Sequence, residues 1–291
     1  MRSTPKIVLI AGILGLIVIP GLIVIVHNER SQVGMETISP LPLKAFDPAC
    51  LKTLSRSRIF FAHMSVGYNI LDGIAAIGQD TPGSPALVET DDPSQMASPG
   101  LYHARLGFNG DPAAKIRSFE SQVAKIASAC PDIVLMKLCY VDIIAGRNAR
   151  DLFESYRQSM DRLEKQYPDI RFIHCTVPLT SEPTTVKRKI KSAVKSLLGK
   201  TTWVHDNTAR MEFTTRLRQQ YPPDRIFDIA MAESLTPETR LCHVPSGGIQ
   251  VPVLYRAYTD DGGHLNTLGR RPLAEHFLMT LGESLHSSPK P

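Results

Sequence analysis

The sequence holds one tryptophan and five cysteines, Cys50, Cys130, Cys139, Cys175 and Cys242, and no two of these cysteines stand in a C-x-x-C pair. That absence excludes the usual zinc and dithiol spacings, and an odd number of scattered thiols is a poor disulfide framework. Cys130, Cys139 and Cys175 fall in or beside apolar runs, where a thiol serves as a small buried hydrophobe, so no obligatory disulfide is expected. No metal-ligand set and no organic cofactor is expected either. No internal repeat is visible, so the chain is not a repeat array. Charge of one sign is in small excess, with 33 Lys and Arg against 28 Asp and Glu for a net of +5. Six of the positive charges, Lys187, Arg188, Lys189, Lys191, Lys195 and Lys200, lie in one segment, and without them the remainder carries −1 (5 − 6).

What is present begins with apolar material. With 291 residues, 43% of them hydrophobic, the chain has enough for one sizeable domain besides an anchor. Ile7 to Val26 carries no charged or polar side chain, and a helix of that length rises roughly 30 Å, about one hydrocarbon core. Arg2 and Lys6 precede the run, while His27-Asn28-Glu29-Arg30 is close to neutral, which predicts a cytoplasmic tip over 1–6, a transmembrane helix over 7–26 and everything after it outside, periplasmic or extracellular. A cleaved signal peptide is the competing expectation, but the run exceeds a usual h-region and no small-x-small site closes it. Residues 27–48, with Pro40, Pro42 and Pro48, read as a linker, and 49–291 as the domain. Nucleic acid is not an expected partner in that compartment.

Along the domain the hydrophobic period alternates. Strand-like runs appear at Ile59 to Ala62, Ile133 to Leu138, Ile170 to Val177, Thr202 to His205 and Ile226 to Ala230. Helical patterns fill Val66 to Ile77, Ala113 to Ala129, Ala149 to Tyr167, Val186 to Leu198, Thr208 to Tyr221 and Thr267 to Leu285. Such alternation predicts an α/β fold with a central parallel sheet covered by helices on both faces. Gly83 to Tyr102, rich in Pro, Ser and Asp, reads as a long loop, and Gln250 to Tyr255 as a late β element. The basic segment is amphipathic, with Ile190, Ala193, Val194, Leu197 and Leu198 on one face. It reads first as a core-packed helix with a solvated outer face, and second as a contact for an anionic lipid or polymer.

Chemistry concentrates in four segments. Asp261-Gly262-Gly263-His264-Leu265-Asn266 sets a carboxylate one turn from an imidazole, so the carboxylate can hold one ring nitrogen as N–H while the other faces outward as a base. Upstream, the apolar run Ile59 to Ala62 leads through His63-Met64 into Ser65-Val66-Gly67, placing a serine at a strand-to-helix turn. Leu106 to Pro112 is a turn opening a helix, and Lys137-Leu138-Cys139-Tyr140-Val141-Asp142 closes the strongest apolar strand. Taken singly, Ser65 reads as a helix N-cap, Asp261 or Asn266 as a cap of the last helix, and Asp260 as a rival carboxylate.

Together, in this order, the four segments resemble those of the SGNH hydrolase superfamily, the GDSL-type esterases. The resemblance runs from about Arg58 to the end and implies a three-layer, flavodoxin-like fold and a serine esterase without cofactor. It implies Ser65 as nucleophile and first oxyanion donor through its N–H, Gly110 as the second backbone donor, and Asp261 and His264 as the remaining pair of the triad. The sequence departs from the pattern at His63-Met64, where the superfamily has Gly-Asp, and at Val141, where it has the oxyanion asparagine. Asn109 is the first candidate to supply the missing side-chain donor, with Tyr140 and His63 as alternatives. The implied substrate is an acyl or acetyl ester of a carbohydrate or lipid. Transfer of the acyl group to a cell-envelope polysaccharide, or glycan binding without catalysis, are the other expectations this fold allows.

Overall fold

The computed structural model describes residues 16–19, 22–25, 34–37, 45–183 and 185–286, and the chain divides into two compact units, 1–32 and 33–291. In the first unit, β1 (Leu16–Ile19) and β2 (Leu22–Ile25) pair antiparallel. The helix expected over 7–26 is therefore not what the described part of that run forms. Its isoleucines and valines favour extended backbone, and Pro20-Gly21 between the strands is a helix-breaking dipeptide. Among the described residues no helix is long and apolar enough to cross a membrane. The tip 1–6 and most of the linker lie outside the described residues.

The second unit runs through β3 (Gly34–Thr37), α1 (Ala49–Leu54), β4 (Arg58–His63), α2 (Val66–Asp80), β5 (Leu87–Glu89), β6 (Gly100–Arg105), α3 (Pro112–Ile126), β7 (Ile133–Met136), α4 (Ala149–Gln166), β8 (Arg171–Cys175), α5 (Val186–Leu197), α6 (Trp203–Gln220), β9 (Ile226–Phe227), α7 (Ile229–Ser234), β10 (Arg240–Ser246), β11 (Ile249–Pro252) and α8 (Thr267–His286). Six strands form one sheet in the order β5-β6-β4-β7-β8-β9, every neighbouring pair parallel. With the edge strand β5 set aside, the other five follow the order 2-1-3-4-5 of a flavodoxin-like sheet. The chain reverses its direction of travel at β4, so the crevice between the carboxyl ends of β4 and β7 is where such a sheet takes ligands.

The period of two along each strand divides the core. Ile59 and Phe61 of β4 and Ile133 and Leu135 of β7 join Leu54, Ile70, Ile74, Phe277 and Leu281 from α1, α2 and α8 on one face. Phe60 and Ala62 with Val134 and Met136 join Phe119, Phe153, Met160 and Phe213 from α3, α4 and α6 on the other. Each such fully buried large side chain contributes about 1.5–3 kcal/mol, which makes this three-layer sandwich the dominant stabilising unit. A smaller antiparallel sheet, β11-β10-β3, packs Val244 and Val251 near Trp203 and Val204 at the start of α6.

Three further expectations are corrected. The stretch 83–102 is not a loop throughout: it holds β5 and leads into β6, whose Leu101 and Tyr102 are buried against β4. Thr202 to His205 is not a strand. Thr202 caps α6 in a reciprocal capping box with His205, so its β-branched residues open a helix. The run Ile226 to Ala230 stays extended for two residues and then becomes α7, because Asp228 accepts from Met231 N and starts a helix there.

Candidate active site

At the end of β4 the chain turns sharply through Met64 into Ser65, whose φ of 56° and ψ of −112° lie where side chains other than glycine seldom go. Such a conformation costs on the order of 1–3 kcal/mol and persists because its surroundings hold it. Gly67 N donates to Met64 O at 3.1 Å and Tyr68 N to Ser65 O at 2.9 Å. Gly67 itself is required by crowding, since a Cβ there would lie 2.4 Å from the His63 ring. Ser65 occupies the N-cap position of α2 but caps nothing with its side chain. Its hydroxyl instead lies 2.7 Å from His264 Nε2.

His264 is oriented from behind. Its Nδ1 lies 2.6 Å from Asp261 Oδ2, while Asp261 Oδ1 accepts from the backbone N–H of Gly263 at 2.9 Å and of His264 at 2.8 Å. Partial burial pushes the Asp261 carboxyl up, but the hydrogen bonds from the His264 ring and from these two N–H groups outweigh it and bring it down to about 2. The carboxylate therefore stays ionised and fixes the proton on Nδ1, leaving Nε2 to accept from Ser65. Asp260 takes another role, accepting from Asn266 Nδ2 at 3.2 Å. Leu265 N donates to Asn69 Oδ1 at 3.0 Å, which ties the Asp-x-x-His turn to α2.

Tyr140 closes the far side of the imidazole, edge to face at 5.7 Å between ring centroids. The ring leaves room only for glycine at 263, where a Cβ would lie 2.8 Å from it. Arg210, buried, donates through Nε to Tyr140 O at 2.9 Å and Ile143 O at 3.1 Å, and its guanidinium sits 5.7 Å from the Tyr140 ring. One arginine thus anchors both the backbone and the ring that abut His264.

The loops on the other side of the serine are joined by a buried ion pair. Lys115 Nζ lies 2.7 Å from Asp142 Oδ2, both side chains without solvent exposure, and also donates to Asn109 Oδ1 at 2.9 Å. Asp142 accepts in addition from Cys139 N at 2.6 Å and Gly110 N at 2.7 Å. The Gly110 N–H expected to face an oxyanion is given to Asp142 instead. With Oδ1 of Asn109 held by Lys115, its amide N–H groups are the donors left on that side chain. The Val141 side chain carries no donor. His63 is buried in the core, 3.2 Å from His103 Nδ1 through Nε2, and burial followed by His103 and Lys137 pushes its imidazole down to about 2. It is a neutral core histidine and not a donor of the site.

Ser65, His264 and Asp261 are thus brought together, with Asn109 and Gly110 tied to Lys115 and Asp142. Sequence reasoning missed Lys115 and Arg210, and it named Asp142 in its segment without assigning it a role. A lysine in the first turn of an amphipathic helix reads as solvated, and nothing in its spacing announces a partner 27 residues away. Among the described residues no three His, Cys, Asp or Glu side chains converge as metal ligands.

No protein-family model matches the sequence, and no curated protein does. Solved structures similar to this chain include the periplasmic domain of a lipopolysaccharide acetyltransferase from Salmonella ser. Paratyphi A, 15% identical, covering 82% of this chain and 87% of that one at a TM-score of 0.40. A protein described as a GDSL-like lipase from Parabacteroides merdae is 12% identical, covering 79% and 97% at 0.43. A third, described as a lipolytic protein of the G-D-S-L family from Desulfitobacterium hafniense, is 12% identical, covering 77% and 99% at 0.38.

Proposed function

We propose that the chain is a divergent SGNH-type serine esterase that cleaves an acyl or acetyl ester of a carbohydrate or lipid. The observation that carries this reading is the continuous chain from Ser65 Oγ to His264 Nε2 at 2.7 Å and from His264 Nδ1 to Asp261 at 2.6 Å, mounted on a strained turn at the switch point of the sheet. A serine that served only as an N-cap would use its hydroxyl on the helix, and this one does not.

In the reaction His264 Nε2 takes the hydroxyl proton as Ser65 Oγ attacks the ester carbonyl carbon, and the carbonyl oxygen becomes the oxyanion. The Ser65 N–H and the Asn109 amide are the donors we assign to it. His264 then returns the proton to the departing alkoxide, leaving an acyl-serine, and water activated by the same base releases the acid. Asp261 stays ionised throughout and stabilises the imidazolium.

The side chains of His264 and Asp261 remain 46% and 49% exposed, so the reacting edge admits a bulky partner. That openness favours a polymeric or membrane-borne ester over a small enclosed one, and it keeps a sugar hydroxyl in place of water as a second reading. The purified protein should hydrolyse a short-chain activated ester, and Ser65→Ala should lower kcat by at least about a thousandfold while leaving stability within about 0.5 kcal/mol. Wild-type turnover in that variant ends the esterase reading, and no turnover in either protein favours glycan binding. Acyl transfer to an added glycan, with no free acid released, replaces hydrolysis by transfer.

We infer from sequence alone that the protein is anchored with this domain outside the cytoplasm: the apolar run Ile7 to Val26 and the positive charges before it support that placement, whereas the β1–β2 pairing within the run does not add to it. Protease added to spheroplasts should then digest the domain, and its protection overturns the placement.

A further inference from the structure

The geometry points to α5 as a helix that docks on an anionic lipid bilayer, holding the Ser65 edge of the sheet against the membrane surface. The first expectation for this helix is an apolar face packed on the core, with contact to an anionic lipid or polymer as the second; Ala193 is half-buried, but most of that face stays open. Val186 and Leu197 are 74% and 64% exposed, Ile190, Val194 and Leu198 are exposed as well, and none of the five belongs to any of the three clusters of buried apolar side chains. Val186, Ile190, Val194 and Leu197 follow one another at spacings of four, four and three, a continuous stripe along the helix. Beside the stripe Lys187, Lys191 and Lys195 are exposed, with Lys189 3.7 Å from Glu182, Ser192 and Ala193 half-buried, and Lys200 beyond the helix end. A soluble helix with both faces open to water is costly, whereas the boundary between headgroups and acyl chains satisfies both.

Charge decides the occupant. A second copy laid on the same stripe would bring two sets of lysines together, while an anionic leaflet neutralises them and takes up the apolar stripe in the same step. Position supports the same partner. The segment leading into α5 follows the carboxyl end of β8, and Ser181 N donates to Gly262 O at 2.9 Å, inside the Asp-x-x-His turn. At that same edge Phe108, the residue before Asn109, is 78% exposed, and Leu268, four residues past His264, is exposed at the start of α8. Apolar side chains therefore emerge from the loop after β6 and from the first turn of α8 at the edge that carries the serine, and the segment leading into α5 is tied to that same edge through Ser181.

Docking needs neither turnover nor an intact triad, so its test is spectroscopic. The full chain is reconstituted into vesicles of phosphatidylcholine alone or of phosphatidylcholine with phosphatidylglycerol, with a reporter made by Leu197→Trp in a Trp203→Phe background. In the anionic vesicles the emission should shift to the blue and be quenched by brominated acyl chains, and it should do neither in phosphatidylcholine alone. Each Lys→Gln change at 187, 191 or 195 should weaken docking roughly fivefold at low salt, the equivalent of about 1 kcal/mol per lysine near an anionic surface. Hydrogen exchange of the unmutated chain repeats the test without a substitution, the α5 amides slowing only on anionic vesicles. Equal exchange on both vesicles overturns the proposal, whatever the ester turnover of the same preparation. A blue shift that needs no vesicles and grows with protein concentration overturns it in favour of a second copy.

Discussion

Asp261 and His264 lie three residues apart and meet through one turn of backbone, whereas Asn109 and Gly110 are held by Lys115 and Asp142, which reach them across six and 32 residues. The acid–base side of the site is a local object whose geometry follows from the Gly262-Gly263 spacer and two backbone N–H groups. Its carboxylate is half exposed, and its loss should cost chemistry much more than fold. The side that carries Asn109 hangs instead on a lysine and an aspartate with no solvent exposure, where an unpaired charge is expensive. One half of the site can therefore be broken without the scaffold, and the other cannot.

The sharpest break on the local side is Asp261→Asn, which keeps the shape but no longer fixes the tautomer of His264. It should lower kcat by about 10⁴-fold and lower the urea midpoint at pH 7 only by the small, solvent-screened part that the ionised carboxylate contributes. On the other side, Lys115→Met leaves Asp142 buried and unpaired and should destabilise the protein by about 3–5 kcal/mol in urea unfolding. The double variant Lys115→Met with Asp142→Leu should recover only part of that loss, because Cys139 N and Gly110 N lose their acceptor. A neutral Lys115→Met would show that the two halves do not differ as described.

Asn109→Ala tests the oxyanion assignment with a smaller effect, about a hundredfold in kcat with KM nearly unchanged if the amide donates only in the transition state. Val141→Asn should raise activity by restoring a side-chain donor, and a neutral Asn109→Ala directs attention to Tyr140→Phe. The smallest effect is on acid stability. Because the Asp261 carboxyl is held at about 2 against an ordinary 3.8, it stabilises the fold above about pH 4, and that contribution disappears as pH falls through 2. Asp261→Asn should flatten this limb of the stability profile, and an unchanged limb would assign it to other carboxylates.

Much of the scaffold was legible because long periodic segments announce themselves. The helices α2, α3, α4, α5 and α8 and the strands β4, β7 and β8 lie where their apolar spacing puts them. The misses share a cause. Residues 83–102 carry turn residues that hide two short strands, and β6 becomes a strand because β4 offers it a partner. Thr202 to His205 reads as extended until the capping box of α6 is seen. In the site, Ser65, Asp261 and His264 were legible from residue type, order and strand ends, while Lys115 looked like any helical lysine.

The sequence by itself determined the alternation that makes a parallel three-layer sheet, the carboxylate and imidazole one turn apart, and a serine at the end of an apolar strand. Only the tertiary structure decided that the Gly110 N–H belongs to Asp142, that Lys115 is buried and paired, that His63 turns to His103, and that α5 leaves its apolar stripe uncovered. The physical reason is that periodicity reports which face of an element is apolar but not what lies against it. Contacts between residues far apart in the chain, and the burial that makes a charge or an N–H costly to leave unpaired, are set by strand order and packing.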